Sequence, residues 1–257
     1  MNDLLPVLAL GFFLGLRHAT DADHVIAVST IVSHQRRLAG AALIGAVWGL
    51  GHSLTVLVVG GGIVLLGWVI PPRVGLSLEF SVGVMLVLLG GWSLAGLWRA
   101  ARDRRLAERL AGPAHVHPHA HGDYVHSHPH THEPETHPHR ADDTPLARLD
   151  RRLGGVGLYR LVRPLVVGVV HGLAGSAAVA LLVLGVITEP RWAALYLAIF
   201  GVGTIVGMML VTMLIGVPFA ISGHRPVWSH RLRLATGVMS VAFGLLMMYR
   251  IGWLGGH

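Results

Sequence analysis

The sequence predicts an all-α, polytopic membrane protein whose six transmembrane helices form two inverted three-helix repeats. Composition is the first ground: of 257 residues, 53% are hydrophobic and 13% charged, with a mean hydropathy of +0.62, whereas a soluble domain has about 25% charged residues. Apolar runs of the ~20 residues that cross a bilayer are the second, and the alternating pattern of a membrane β-barrel is absent. Internal similarity is the third. "GLRH" (15–18) matches "GVVH" (168–171) at an offset of 153, and "WGLG" (48–51) matches "FGVG" (200–203) at 152. "VGVM" (82–85) matches "TGVM" (236–239) at 154, as Gly90 matches Gly244. An odd number of spans per half inverts the second half, as in many secondary transporters, and sets the site near the midplane.

Spans are expected at 4–33, 40–70, 75–97, 165–187, 193–221 and 232–254. They give a first half over 1–98, a linker over 99–164 and a second half over 165–257. Some runs exceed the ~20 residues needed, so tilts, kinks or breaks are expected. Gly60, Gly61 and Gly62 mark one such irregularity, and Pro71–Pro72 ends the second span. The start, "MNDLLPVLALGFFLGLRHA", has Asp3 and no Lys or Arg before its apolar run. It is read as mature structure rather than a signal peptide.

All 20 basic residues are Arg, and their placement sets the orientation. Arg36 and Arg37, the eleven Arg from Arg99 to Arg163, and Arg225, Arg231 and Arg233 fall on one side of a six-span arrangement. Only Arg73, Arg191 and Arg250 fall on the other. The Arg-rich side is expected to be cytoplasmic, with both termini outside a cell (inner or plasma) membrane. Topology therefore accounts for the net charge of +7 better than nucleic-acid binding does. "RAARDRRLAERL" (99–110) is read as a basic helix on the membrane surface. There is no Cys, which excludes disulfides, thiolate metal ligands and Cys-based catalysis. No phosphate-binding loop of the GxxxxGK[ST] type is present.

The chemistry concentrates in "GLRHATDADHVIAVS" (15–29), where Arg17, His18, Asp21, Asp23 and His24 interrupt an apolar run. Neither flank is long enough to span alone, so the polar run sits at membrane depth. There an Arg or Asp costs about 2.5–3.5 kcal/mol and normally faces the bundle interior with a job to do. On a regular helix Arg17 and Asp21 are i,i+4 neighbours and are expected to pair. His18, Asp21 and His24 share a face, yet ~9 Å of rise separates the two imidazoles. That is a long reach for one ion held at ~2.0–2.1 Å; either the helix unwinds here, which is the favoured expectation, or the two His use ligands from other spans. His52 in "GLGHSL" and His171 in "VVHGLAGS" are further intramembrane imidazoles, with small neighbours that permit close helix approach. A lone buried His is usually a packing residue, but four with two Asp on separate spans point to a metal. The candidate ligands are His18, Asp21, Asp23, His24, His52 and His171. Imidazole and carboxylate without thiolate suit Ni²⁺, Co²⁺, Zn²⁺ or Fe²⁺.

His18-Ala-Thr-Asp-Ala-Asp23-His24 resembles the His-x4-Asp-His signature of the nickel/cobalt transporter family, and "LGHS" (50–53) resembles its second motif. The resemblance implies a permease for Ni²⁺ or Co²⁺ as transported substrate, with no organic cofactor, and metal roles for His18, Asp23, His24 and His52. Larger members carry an acidic motif in the second half. Here "LAGSAAVA" (173–180) has Ser176 and Ala180 in place of the acids, so the chain is more similar to the short six-span permeases associated with urease maturation.

"HVHPHAHGDYVHSHPHTHEPETHPH" (115–139) holds ten His among Pro and small polar residues. With no apolar face to bury, it is expected to be disordered without metal and to act as a cytoplasmic metal buffer. His34, His224, His230 and His257 lie at span ends or the terminus and are read as solvated. The expected function is divalent-metal uptake by alternating access, not enzymatic, with the lipid bilayer, the ion and cytoplasmic metallochaperones as partners. The rivals are an exporter of the same fold, a haem-binding membrane redox protein and a metal sensor.

Overall fold

The computed structural model describes residues 4–33, 35, 37–109, 115–121, 124–130, 158–173, 187, 189–222 and 226–254. The chain divides into two units, Met1–Ser93 with Pro164–His257, and Leu94–Arg163. The helices are α1 (Leu4–His18), α2 (Ala22–Val32), α3 (Leu38–Leu66), α4 (Pro72–Arg109), α5 (Leu158–Leu173), α6 (Pro190–Ser222) and α7 (Pro226–Leu254). Four stretches among the described residues are long and apolar enough to cross a membrane: Leu38–Ile63, Pro72–Asp103, Pro190–Ile221 and Val227–Trp253. Helix is the natural state of such stretches, because lipid offers no partner for an open backbone N–H or C=O. The first expected span, 4–33, is two shorter helices, and the fourth is described as α5 and Ile187, with 174–186 outside the described residues.

α6 is the hub of the first unit, packed against α1, α2 and α3, while α7 packs against α2. The contacts are backbone-close because glycines supply them. Gly15 lies against the backbone of Phe200 and Thr204, and Gly203 against that of Phe12. Gly45 meets Thr212 and Met208, and Gly49 meets Ile205. These pairings run α1 parallel to α6 and α3 antiparallel to it. Buried hydroxyls bond to backbone carbonyls rather than waste their polarity. Ser53 donates to Gly201 O (3.0 Å), Thr55 to Val169 O (3.2 Å) and Ser240 to Leu86 O (2.8 Å). The core gathers Trp48, Ile44, Val28, Val32, Leu86, Val82 and Met208. Large apolar side chains such as Leu50, Leu54, Leu210 and Leu214 point outward, as lipid-facing positions must.

Three expectations change. The helix runs unbroken through Gly60–Gly62 to Leu66, and the irregularity falls at Gly67, whose φ of 66° forms a left-handed cap bonded back to Gly62 O. Gly62 is small because the Trp68 ring folds onto it. The basic stretch after Trp98 is helical, but as the continuation of α4 through Arg109 rather than beyond a span ending at 97. In the second unit, β1 (His115–His121) and β2 (Tyr124–His130) form an antiparallel hairpin, with His115 opposite His130, His117 opposite His128 and His119 opposite His126. The disorder expected of the loop is therefore not found at these residues. Pairing satisfies the backbone without an apolar face. His230 is exposed, as expected, while His34, His224 and His257 lie outside the described residues.

Candidate metal centre

The site is built on the gap between α1 and α2. Thr20 N–H donates to Arg17 O (2.9 Å) and Asp21 N–H to His18 O (3.1 Å), tightening the end of α1 into i→i−3 bonds. Thr20 Oγ1 also donates to Arg17 O (2.6 Å). Asp21, at φ −60° and ψ 145°, is extended and hands the chain to α2. No Gly or Pro is needed, because short polar side chains compete for the backbone and favour helix ends over helix interiors. The expected unwinding is therefore present. It brings the His18 and His24 ring centroids to 4.7 Å.

α3 and α5 supply the other rings. Gly168 of α5 lies against the backbone of Trp48 and His52, and Gly172 against that of His52. This approach leaves His171 with its ring centroid 4.3 Å from that of His24. His18 Nε2 lies 2.9 Å from His52 Nε2. Burial is nearly complete: His24 is 1% exposed, and His52 and His171 are 0%.

Two carboxylates orient these rings. Asp21 Oδ2 accepts from His18 Nδ1 (2.9 Å), which leaves His18 Nε2 as the lone-pair nitrogen. Asp23 Oδ1 accepts from the His24 backbone N–H and lies beside His24 Nδ1 (both 3.0 Å), while Oδ2 accepts from His171 Nε2 (2.8 Å). Carboxylate-backed imidazoles are the usual outer-shell arrangement of metal-binding His. His24 Nε2, His52 Nδ1 and His171 Nδ1 are buried without a hydrogen-bond partner. An unsatisfied buried polar atom costs about 1–3 kcal/mol, so the site carries donor capacity that the protein itself leaves unused. Two triads have ligand atoms mutually within 4.8 Å: His18, His24 and His52, and Asp23, His24 and His171.

Five of the six candidate ligands are thus brought together, and Asp21 stands behind His18. Its expected pairing with Arg17 is absent. Asp21 bonds His18, and Arg17 is exposed, because the chain turns after His18 and the i,i+4 geometry of a continuous helix no longer applies. Sequence reasoning missed two aromatic walls. The Trp48 ring lies 5.6 Å from His24 and 5.7 Å from His171, and the Phe200 ring lies 5.7 Å from His18. The signal was available, since Trp48 precedes His52 by one helical turn and Trp48 and Phe200 open the matched "WGLG" and "FGVG" segments.

Fold and site together define a multi-pass helical membrane protein with the buried imidazole–carboxylate interior that a metal-ion transporter needs. The chain belongs to the NicO family of high-affinity nickel-transport proteins, which it matches over residues 4–144. It is a transporter rather than an enzyme. It is also similar to the urease accessory protein UreH of Bacillus sp. (strain TB-90), 35% identical over 250 residues that cover 97% of this chain and 93% of that protein. No solved structure matches it.

Proposed function

We propose that the protein is a nickel permease, also competent for cobalt, that imports the ion by alternating access between two inverted three-helix halves. The observation that carries this reading is the buried cluster of four imidazoles and Asp23 at a helix break, with unpartnered ring nitrogens. His18, His24, His52, His171 and Asp23 line the ion's way through the protein and offer the ligands that exchange for its hydration water, and Asp21 fixes the His18 ring. In this reading α1 with α2 is the first span and α5 carries the described part of the expected span 165–187, which together with α3, α4, α6 and α7 gives six.

The glycine contacts support the inverted repeat. Gly15 and Gly168, 153 apart, lie against the backbones of Phe200 and Trp48, themselves 152 apart. Gly203 lies against Phe12 as Gly51 lies against Leu165. Gly83 meets Gly244 and Gly90 meets Gly237, the reciprocal pairing that a two-fold axis between α4 and α7 requires. Arg placement puts the linker in the cytoplasm, where the His-rich hairpin buffers delivered metal and hands it to metallochaperones. An inside-negative potential supplies about 4.6 kcal/mol per 100 mV for a dication, at ~2.3 per charge, so no nucleotide is required.

Proteoliposomes test the reading directly. Ni²⁺ flux above protein-free vesicles, stimulated by an inside-negative potential and competed by Co²⁺, is expected. Absence of flux for Ni²⁺ and Co²⁺ alike would overturn it.

A further inference from the structure

We infer that the interior holds not one multi-ligand centre but two overlapping ion stations that share His24 and fill one at a time. The inference rests on the permease reading and specifies how its site works. The first station is His18, His24 and His52; the second is Asp23, His24 and His171. His24 is the only residue common to both.

Its ring is placed for both tasks. Nε2 is buried and has no partner, while Nδ1 lies 3.0 Å from Asp23 Oδ1. With the proton on Nδ1 and shared with Asp23, the free Nε2 lone pair serves the first station beside the Nε2 atoms of His18 and His52. With the proton of His24 on Nε2, and that of His171 moved from Nε2 to its unpartnered Nδ1, the His24 Nδ1 lone pair binds alongside Asp23 and His171 Nε2, which lies 2.8 Å from the other carboxylate oxygen. A neutral imidazole offers one lone pair, so His24 cannot complete both stations together. Two dications a few ångströms apart in a poorly screened interior also repel strongly.

The stations differ in charge and in the aromatic ring beside their unshared imidazole. The first is made of three neutral rings, and Phe200 covers its His18 side. The second contains a carboxylate, and Trp48 covers His171. An ion therefore moves from one aromatic wall towards the other by exchanging partners around His24, never losing all protein ligands at once. The carboxylate makes the second station the tighter resting place.

Nickel alone, titrated into the purified full-length protein, tests this by stoichiometry, X-ray absorption and flux. Wild type is expected to bind one ion with a carboxylate oxygen and two imidazoles in its shell. Asp23→Asn confines the ion to the three-imidazole station, and His52→Asn confines it to the second. Each keeps one bound ion, about 10-fold to 100-fold weaker for Asp23→Asn and within about threefold of wild type for His52→Asn, and each loses flux. His24→Ala loses binding at both. Two binding results overturn the proposal: loss of nickel binding in Asp23→Asn and His52→Asn as complete as in His24→Ala, or a wild-type shell containing all four imidazoles. Near-wild-type flux in either single-station variant also overturns it. If wild type itself moves no metal, the permease reading fails instead.

Discussion

α3 and α6 present the same local pattern and do different work. Each opens its matched segment on a buried aromatic, Trp48 or Phe200, follows it with glycine, and lets a glycine of a neighbouring helix press on that aromatic's backbone. Four residues further on, however, α3 carries His52, whose ring reaches His18, whereas α6 carries Thr204, whose hydroxyl returns to Phe200 O at 2.9 Å. At this position α3 keeps both the frame and a ligand, and α6 keeps the frame alone. Packing similarity and chemical similarity are therefore separable between these two helices.

That comparison is breakable in graded steps. The largest effect is expected for His24→Ala, which removes the ligand common to both triads. Flux measured in proteoliposomes should fall by about 100-fold or more, beyond the 10–100-fold typical of outer-shell losses. Next come the frame glycines. Gly51→Val and Gly203→Val force a side chain into Leu165 and Phe12 backbone respectively, and each should cost about 1–3 kcal/mol of stability by overpacking. Similar losses of thermal stability in the two would sharpen the comparison, and a neutral Gly203→Val would break it. Asp21→Asn leaves the ligands in place but loosens the tautomer and orientation of His18, a first-station ligand, so nickel flux should drop by about 10-fold while affinity stays within about threefold of wild type. The smallest change belongs to Thr204→Val. It removes one neutral hydrogen bond worth about 1 kcal/mol and should leave flux within about twofold, in contrast to His52→Asn.

Much of this was legible in the sequence, for physical reasons that differ by element. The break after His18 could be favoured because a regular helix would hold its two imidazoles ~9 Å of rise apart, a long reach for one ion. The offsets near 153 could be read because glycine contacts tolerate no side chain. Partner choice could not be read. A periodic helix put Arg17 beside Asp21, and only the actual turn redirects Asp21 to His18. The bridge from His171 to Asp23 spans 148 residues of sequence, and no local pattern encodes it. The hairpin over His115–His130 was hidden because composition reports the lack of a core, not the hydrogen bonds that two alternating strands can still make.

The gap between α1 and α2 also bears on how the protein is assembled in time. Chains emerge from the ribosome N-terminus first, so the helix pair bearing Asp21 and Asp23 enters the bilayer before the helices that shelter it exist. Gly15 and Gly11 wait for Phe200 and Tyr196 of α6, and Asp23 waits for His171. Until then, charged groups that cost about 2.5–3.5 kcal/mol each at mid-membrane have no interior to face. The first segment synthesised is thus among the last to be secured. A chain truncated before Pro190 lacks the helix that secures it, which makes α6 a checkpoint for biogenesis as well as the axis of the bundle.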